Sequence, residues 1–516
     1  MMNGLQTILE DKFRLKSFRK GQLSVIESVV QKRDTLAVMP TGGGKSLCYQ
    51  IPALYFEGLV IVISPLIALM KDQVRSLKAL GLNAGCLHSG QSLDEKREVF
   101  SSMRTQKSFV LYLSPERVQN AGFIEWVQHQ KISLFAIDEA HCVSQWGPDF
   151  RPDYHKLKVL RELRPDVPIL ALTATATPPV LRDIAKQLSF KGGDRHIYGF
   201  YRPNLFYQIE ICKDEEYKFA MLQAALKQTM KGRILIYCGT RQQCEDLSLS
   251  LQREFTNVGF YHAGMSSEER KQVQEKVDRG EVRILAATNA FGMGIDYPDV
   301  RLVVHYQTPA NIESFYQEMG RAGRDGAMSR CLLLHSKKDR GLHSFFIQQS
   351  KAQKDVIKAR WNALEAMTQF VESAECRHAG ILTYFKDSER IQNCGHCDVC
   401  APQSTWITPR PELSIKTKLK KGSGSTFKSK NPQVDRKFEI STDESQARAL
   451  LIKDWRRQYA KERDLPAFIV FGDRTLRDLA NKNPKSLDEL NNIYGLGPSK
   501  IETFGAELLK VFEARC

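Results

Sequence analysis

Thr35-Leu36-Ala37-Val38-Met39-Pro40-Thr41-Gly42-Gly43-Gly44-Lys45-Ser46, followed by Leu47-Cys48-Tyr49-Gln50-Ile51, decides how the rest of the chain is read. A short apolar run enters a glycine-rich turn, which ends in Lys-Ser ahead of a segment able to continue as a helix. Strand, glycine loop and helix in that order form a phosphate cradle. The glycines let backbone N–H groups converge on an anion, Lys45 supplies a point charge, and the Ser46 hydroxyl can hold Mg²⁺. The strict pattern has glycine where this chain has Met39, so the loop is a variant form.

A chain of 516 residues has room for about three to four domains, each with its own core. Lys and Arg total 75 against 59 Asp and Glu, and the net charge of +16 favours a polyanionic partner, most simply nucleic acid. No apolar run reaches the roughly 18 residues of a membrane span, and Met1-Met2-Asn3-Gly4 does not open a secretory signal pattern. A soluble, intracellular protein without a membrane partner is therefore expected. Of 12 cysteines, four crowd between positions 376 and 400, the pattern of one metal site in a reducing compartment.

Residues 1–34 are polar and helix-like, and carry Phe18-Arg19-Lys20-Gly21-Gln22. A glutamine amide offers both a donor and an acceptor to the adenine edge. Apolar runs at 59–63, 109–113, 134–137 and 169–172, separated by amphipathic stretches, predict a parallel sheet covered on both faces. Ser64-Pro65, Ser114-Pro115, Asp138-Glu139-Ala140-His141 and Thr173-Ala174-Thr175 follow those runs, at the strand ends where such sheets bind ligands. Asp138 is placed to help hold Mg²⁺, and Glu139 to polarise the water that attacks a γ-phosphate. A second α/β pattern spans 199–335, with strands predicted at 233–238, 258–261, 282–287 and 300–304. It carries Gln317-Glu318-Met319-Gly320-Arg321-Ala322-Gly323-Arg324-Asp325-Gly326. Arg321 and Arg324 fall on one helical face, from which one could reach a γ-phosphate as an arginine finger.

Taken together, Phe18–Gln22, Thr41–Ser46, Ser64–Gln73, the Asp-Glu-Ala-His tetrad, Thr173–Thr175, Phe291–Asp296 and Gln317–Gly326 resemble a superfamily 2 helicase of the RecQ family. The most diagnostic stretch is Ser144-Gln145-Trp146-Gly147-Pro148-Asp149-Phe150-Arg151-Pro152-Asp153-Tyr154, which is similar to that family's aromatic-rich loop. The resemblance implies two RecA-like lobes and an ATP-dependent, 3′→5′ DNA-unwinding motor of recombination, repair and replication. It implies that Arg19 and Gln22 contact adenine and that Thr41, Gly42, Gly43, Gly44, Lys45 and Ser46 hold the phosphates. Lys45, Asp138, Glu139, Gln317, Arg321 and Arg324 would carry catalysis, Arg324 being the favoured finger. Trp146, Phe150 and Arg151 would sense single-stranded DNA. Leu15, Pro148 and Tyr297 depart from residues frequent in the family at those positions.

Cys376, Cys394, Cys397 and Cys400 suit a closed, structural tetrahedral Zn²⁺ site, with His378 and His396 as competing ligands. Val371–Asp387 reads as helices that the metal would pin, as in the RecQ zinc-binding subdomain. Residues 403–445 read as a basic linker, with a short strand suggested by Leu413, Ile415 and Leu419. It is too short for the winged-helix domain that RecQ relatives carry there. Residues 446–516 resemble the helical HRDC module, whose Gly495-Leu496-Gly497 turn and Lys500 would meet either DNA phosphate or a protein. The expected division is 1–198, 199–335, 336–402, 403–445 and 446–516. The expected architecture is α/β, two parallel-sheet lobes followed by helical zinc and HRDC-like parts. A monomer acting on single-stranded and forked or tailed DNA, with ATP, Mg²⁺ and Zn²⁺, is expected; in a bacterium it would be cytoplasmic and nucleoid-associated. A remodeller that anneals or translocates with weak unwinding, an RNA helicase and a non-enzymatic DNA scaffold are the competing readings.

Overall fold

The structure, a computed structural model, describes residues 2–40, 42–88, 90–147, 150–291, 297–350, 352–411, 440 and 442–513. Thr41, Pro148, the 292–296 stretch and the suggested strand around Leu413–Leu419 lie outside the described residues.

The first parallel sheet contains β1 (Thr35–Val38), β2 (Leu59–Ile63), β3 (Ala84–Leu87), β4 (Phe109–Leu113), β5 (Ile132–Ile137), β6 (Ile169–Thr173) and β7 (Asp194–Ile197). Their order is β3-β4-β2-β5-β6-β1-β7. Every residue of β2, β4 and β6 is buried, as continuous Val, Ile and Leu runs require when helices cover both faces. The expected strands are all present. β3 and β7, edge strands made of small or polar residues, add to those the sequence predicts.

The second sheet holds β8 (Leu205–Ile211), β9 (Arg233–Tyr237), β10 (Val258–Tyr261), β11 (Ile284–Ala287), β12 (Val300–His305) and β13 (Ser329–His335), in the order β10-β11-β9-β12-β13-β8. β8 and β13 extend it beyond the four predicted strands. Residues 198–204 connect the two lobes. Tyr198 N–H donates to Val38 O (3.1 Å), and Gly199 sits at φ 81°, where an added Cβ would crowd Pro40 at 3.2 Å.

Beyond lobe 2, helix Lys337–Gln348 leads to the long helix Lys354–Glu372 and then to Arg377–Tyr384. The helical stretch predicted from Val371 is thus the last turn of one helix and the whole of another. The cysteine-rich loop after it docks on the outer edge of β8. Asp398 N–H donates to Tyr207 O (2.8 Å), and the Asp398 carboxylate accepts from Ile209 N–H (3.0 Å). The chain then runs along the same strand, where Thr408 N–H donates to the Gln208 side chain (2.8 Å) and Arg410 pairs with Glu210 (3.0 Å).

The C-terminal module opens with helix Asp443–Glu462, capped by Thr442, and continues through Ala467–Val470, Asp473–Lys482, Leu487–Leu490 and Ala506–Glu513. It has its own apolar core around Ile452, Phe471, Leu479, Leu490 and Leu508. It also docks on the zinc region. Phe468 meets Phe370 edge-on at 5.5 Å, and Asp464 pairs with Lys386 (2.8 Å) and Arg390 (3.2 Å). The Asp473 carboxylate joins the 1%-exposed Arg456 (2.7 Å) to the Ala374 N–H (2.7 Å). No helix among the described residues is long and apolar enough to cross a membrane.

Candidate nucleotide site and zinc centre

The glycine loop leaves β1 at Met39, whose N–H donates to Thr173 O (3.0 Å), and re-enters helix Leu47–Phe56. Gly42 and Gly44 take φ of 79° and 76°, a conformation that side chains disfavour. A Cβ at Gly44 would sit 2.2 Å from the Gln22 amide nitrogen. That amide donates to Gly44 O (3.0 Å) and Gly43 O (3.3 Å), while its oxygen accepts from Arg19 N–H (2.7 Å). The Arg19 guanidinium donates to Gly42 O. Gln22 and Arg19 therefore brace the phosphate loop from behind. Lys45 Nζ reaches back to Met39 O (3.4 Å).

Asp138 stands at the tip of β5, its N–H donating to Ile63 O (2.9 Å) and its carboxylate accepting from Glu139 N–H (3.0 Å). Glu139 adopts φ 49°, turning the chain so that its carboxylate faces His141 at 3.3 Å. Burial, and then the Glu139 charge, push the Asp138 carboxyl up to about 7. Burial alone would raise Glu139 as well, but the hydrogen bond and charge of His141, with Lys45 and Arg321, hold it down near 2. Paired carboxylates beside one lysine form a site that gains stability from a further cation, which fits Mg²⁺.

A run of polar contacts leads from His141, beside this acid, to the other lobe. His141 Nδ1 meets Thr173 Oγ1 (2.9 Å), whose hydroxyl donates to Thr175 O (3.0 Å). The Thr175 hydroxyl accepts from Gln317 Nε2 (2.7 Å), which belongs to helix Ile312–Met319 of lobe 2. Arg324 lies close enough to the loop that its Cγ would be 3.7 Å from a Cβ at Gly42. Arg321 acts electrostatically on both Glu139 and Tyr237. The structure thus brings Lys45, Asp138, Glu139, Gln317, Arg321 and Arg324 to one inter-lobe cleft.

Two further residues shape that cleft and carry no local motif. Arg202 donates to the carbonyls of Gly320 (3.3 Å), Ala322 (2.9 Å) and Gly323 (3.2 Å), and Asn204 to Gly323 (2.8 Å) and Ala327 (3.0 Å). They fix the arginine turn from the inter-lobe connector. Only tertiary structure reveals them, since nothing in Arg202-Pro203-Asn204 marks a partner over a hundred positions away.

In the aromatic loop, Ser144 is tied to Asp183 (2.6 Å) and Trp146 is 44% exposed. Phe150 contacts His155 edge-on, and Arg151 donates to Pro65 O (3.2 Å) at the tip of β2. Through Arg151 the loop lies at the strand-tip edge of the sheet. Tyr297 anchors a local cluster in lobe 2, where its hydroxyl donates to Asp278 (2.6 Å) and its ring lies under Arg233 at 4.6 Å. Leu15 is 43% exposed.

The sulfurs of Cys376, Cys394, Cys397 and Cys400 all lie within 4.8 Å of one another. Backbone N–H groups of Ala379, His396 and Cys400 point at three of them (3.5, 3.3 and 3.4 Å). Thiolates so supported suit a tetrahedral Zn²⁺ with bonds of about 2.3 Å. His378 and His396 also approach Cys394, but each is engaged with the connector. His378 stacks on Tyr207 at 4.1 Å and meets Arg202 O (3.2 Å), while His396 meets the Tyr201 hydroxyl (3.0 Å). Phe200 completes the grip, its N–H donating to Asp387 (2.8 Å) and its ring stacking on Phe385 at 4.3 Å. The four-cysteine set therefore needs no histidine. Lys500, read from sequence as meeting either DNA phosphate or a protein, has its ammonium buried, and that burial lowers its pKa.

Two parallel-sheet lobes, with a phosphate loop and acid pair on one and an arginine turn entering from the other, define the two-lobed helicase class. The chain matches the family descriptions "DEAD/DEAH box helicase" over 19–184, "Helicase conserved C-terminal domain" over 217–326, "RecQ zinc-binding" over 337–401 and "HRDC domain" over 445–512. It is 35% identical to the ATP-dependent DNA helicase RecQ of Bacillus subtilis, with 100% of this chain and 99% of that protein covered. To the protein of the same name from Haemophilus influenzae it is 42% identical, over 76% of this chain and 63% of that one. The fold is similar to Saccharomyces cerevisiae Dbp5 bound to RNA and ADP BeF3, at TM-score 0.52 and 18% identity, covering 70% of this chain and 97% of Dbp5. The chain belongs to the RecQ family of helicases.

Proposed function

We propose that the chain is an ATP-dependent 3′→5′ DNA helicase, with hydrolysis stimulated by single-stranded DNA, acting in recombination and repair. The observation that carries this reading is the run of polar contacts from Glu139, which His141 approaches at 3.3 Å, through the hydrogen bonds of His141, Thr173 and Thr175 to Gln317, on the helix that leads into the arginine turn of lobe 2. Thr41–Ser46 bind the ATP phosphates, with Lys45 on the β- and γ-oxygens and Arg19 and Gln22 bracing the loop and facing adenine. Glu139, held ionised, orients and polarises the attacking water. Arg324 meets the charge developing on the γ-phosphate, with Arg321 beside it. Ser46 and Asp138 would hold Mg²⁺, which supplies further charge neutralisation. Cys376, Cys394, Cys397 and Cys400 would hold structural Zn²⁺.

Single-stranded DNA at Trp146, Phe150 and Arg151 biases the lobes toward closure. Arg151 contacts Pro65 and Trp146 follows the tetrad, so a shift of this loop reaches the acid directly. Lobe boundaries near 198 and 335, a monomeric state, a cytoplasmic location in a bacterium and DNA or protein contact by the C-terminal module complete the proposal.

ATPase assays with and without single-stranded DNA test it. Lys45→Ala or Glu139→Gln should reduce turnover by roughly 10²- to 10⁴-fold, and 3′-tailed forks should open where 5′-tailed forks do not. Wild-type ATPase indifferent to DNA would overturn the reading. One observation favours a second reading, a translocase or annealing remodeller with weak unwinding. Residues 402–444, between the zinc-binding and HRDC matches, are fewer than the roughly 50 of a small domain. Robust, processive fork opening would exclude it.

A further inference from the structure

Among the described residues, four aromatic side chains are more than a third exposed: Tyr55, Trp146, Phe345 and Phe346. Trp146 belongs to the aromatic loop. Phe345 and Phe346 are the most exposed, at 55% and 51%, and their ring centroids lie 5.9 Å apart. They stand in helix Lys337–Gln348, outside every stretch that the nucleotide site uses. Adjacent exposed rings rimmed by charge mark a binding surface rather than ordinary surface scatter.

The helix is fixed rigidly over the strand tips of lobe 2. Asp339, 2% exposed, accepts from Thr308 N–H and Oγ1 (3.1 Å each) and pairs with the fully buried Lys218 (3.2 Å). His343 Nε2 meets Thr308 O (2.6 Å), and Leu342 lies where a Cβ at Gly239 would be 2.9 Å away. Thr308 follows β12 and Gly239 follows β9, so the helix covers the carboxyl edge of that sheet. This is the edge that, in lobe 1, carries Trp146 and Arg151. Lys338, Gly341 and Phe345 share one helical face, and beside Gly341 there is open space. Lys337 and Lys338 are exposed.

We propose that Phe345 and Phe346, with Lys337 and Lys338, form a base-stacking platform for single-stranded DNA on lobe 2, the counterpart of Trp146 on lobe 1. The proposal rests on the DNA-motor reading above. Rings beside cations suit DNA because every base has a π-face and every linkage a charge. A second copy of this chain would bring a net charge of +16 against the same +16.

Fluorescence anisotropy of the full chain with labelled oligothymidylates tests the platform, comparing a short oligomer with one long enough to cross both lobes. The double substitution Phe345→Ser and Phe346→Ser should weaken binding of the long oligomer by roughly 5- to 150-fold. It should leave the short one unchanged and the thermal melt intact. Phe345→Trp with Phe346→Trp should retain binding. Wild-type affinity of the serine double variant for the long oligomer overturns the platform. So does equal weakening on both lengths, or a change of sedimentation without a change of DNA affinity. A wild-type chain that binds no DNA sinks the motor reading itself, and the platform with it.

Discussion

Thr175 and Gln317 are joined by one hydrogen bond of 2.7 Å across the cleft, and that bond is the narrowest point of the inter-lobe path. Thr175→Val keeps the shape and removes the hydroxyl. Its expected effect is a roughly 5- to 100-fold loss of DNA-stimulated kcat, on the scale of one buried hydrogen bond with an orphaned partner, with ATP KM moving much less. Steady-state kinetics with and without DNA measure the split. Tyr297 makes the opposite prediction. Tyr297→Phe loses the Asp278 bond but keeps the ring under Arg233, so stability should fall by about 1 kcal/mol in denaturant titration while ATPase is unchanged. The placement of Lys45, Asp138 and Glu139 was legible because a glycine loop and a strand tip announce themselves in the letters around them. Arg202 and Asn204 were not, because they hold backbone carbonyls that only folding brings near. Gln22 sits between these cases: its amide chemistry was readable, but its bonds to Gly43 and Gly44 depend on a loop conformation.

Strands buried on both faces announced themselves through unbroken Val, Ile and Leu. Edge strands did not: β3 is Ala-Gly-Cys-Leu and β7 Asp-Arg-His-Ile, each too short for a periodic signal. β13 carried a legible run, Cys331–Leu334, directly after the arginine turn, whereas in β8 the polar Gln208 and Glu210, buried with their neighbours, interrupt the apolar run. The zinc loop is read well by spacing, yet what it does to its neighbours is not. The zinc region grips three successive connector residues, Phe200 through Asp387, Tyr201 through His396 and Arg202 through His378. Cys397→Ser should therefore lower the melting temperature and, in addition, raise hydrogen exchange across 198–204 before global unfolding, measured by mass spectrometry at sub-denaturing temperature.

In the whole molecule, the C-terminal module rests against the zinc region instead of hanging from its linker. The ion pairs of Asp464 are half-exposed and contribute little, whereas Asp473 serves both the buried Arg456 and the Ala374 N–H. Asp473→Ala leaves that arginine without its near partner inside the module and removes the bond to Ala374 N–H, so a destabilisation of the module by about 3–5 kcal/mol and a weakened dock on the zinc region are expected. The module should then loosen on the zinc region, seen as an increased radius in small-angle scattering. An unchanged radius would mean that the Phe370–Phe468 contact and the Asp464 ion pairs suffice to hold the module.

The outer edge of β8 is Leu205-Phe206-Tyr207-Gln208-Ile209-Glu210-Ile211, rich in β-forming residues, and its backbone groups are engaged by Asp398 while the segment through Thr408 lies along it. The adjacent cysteines, tied together by a metal, help to hold those covering residues in place. Loss of the metal would therefore do more than silence a motor: it would unmask a sticky strand on every molecule. Chelated or oxidised protein should accumulate as ordered, thioflavin-binding aggregate in proportion to concentration. A charged substitution at the exposed end of that strand, such as Ile211→Lys, should keep the metal-free chain in solution even though it cannot restore activity.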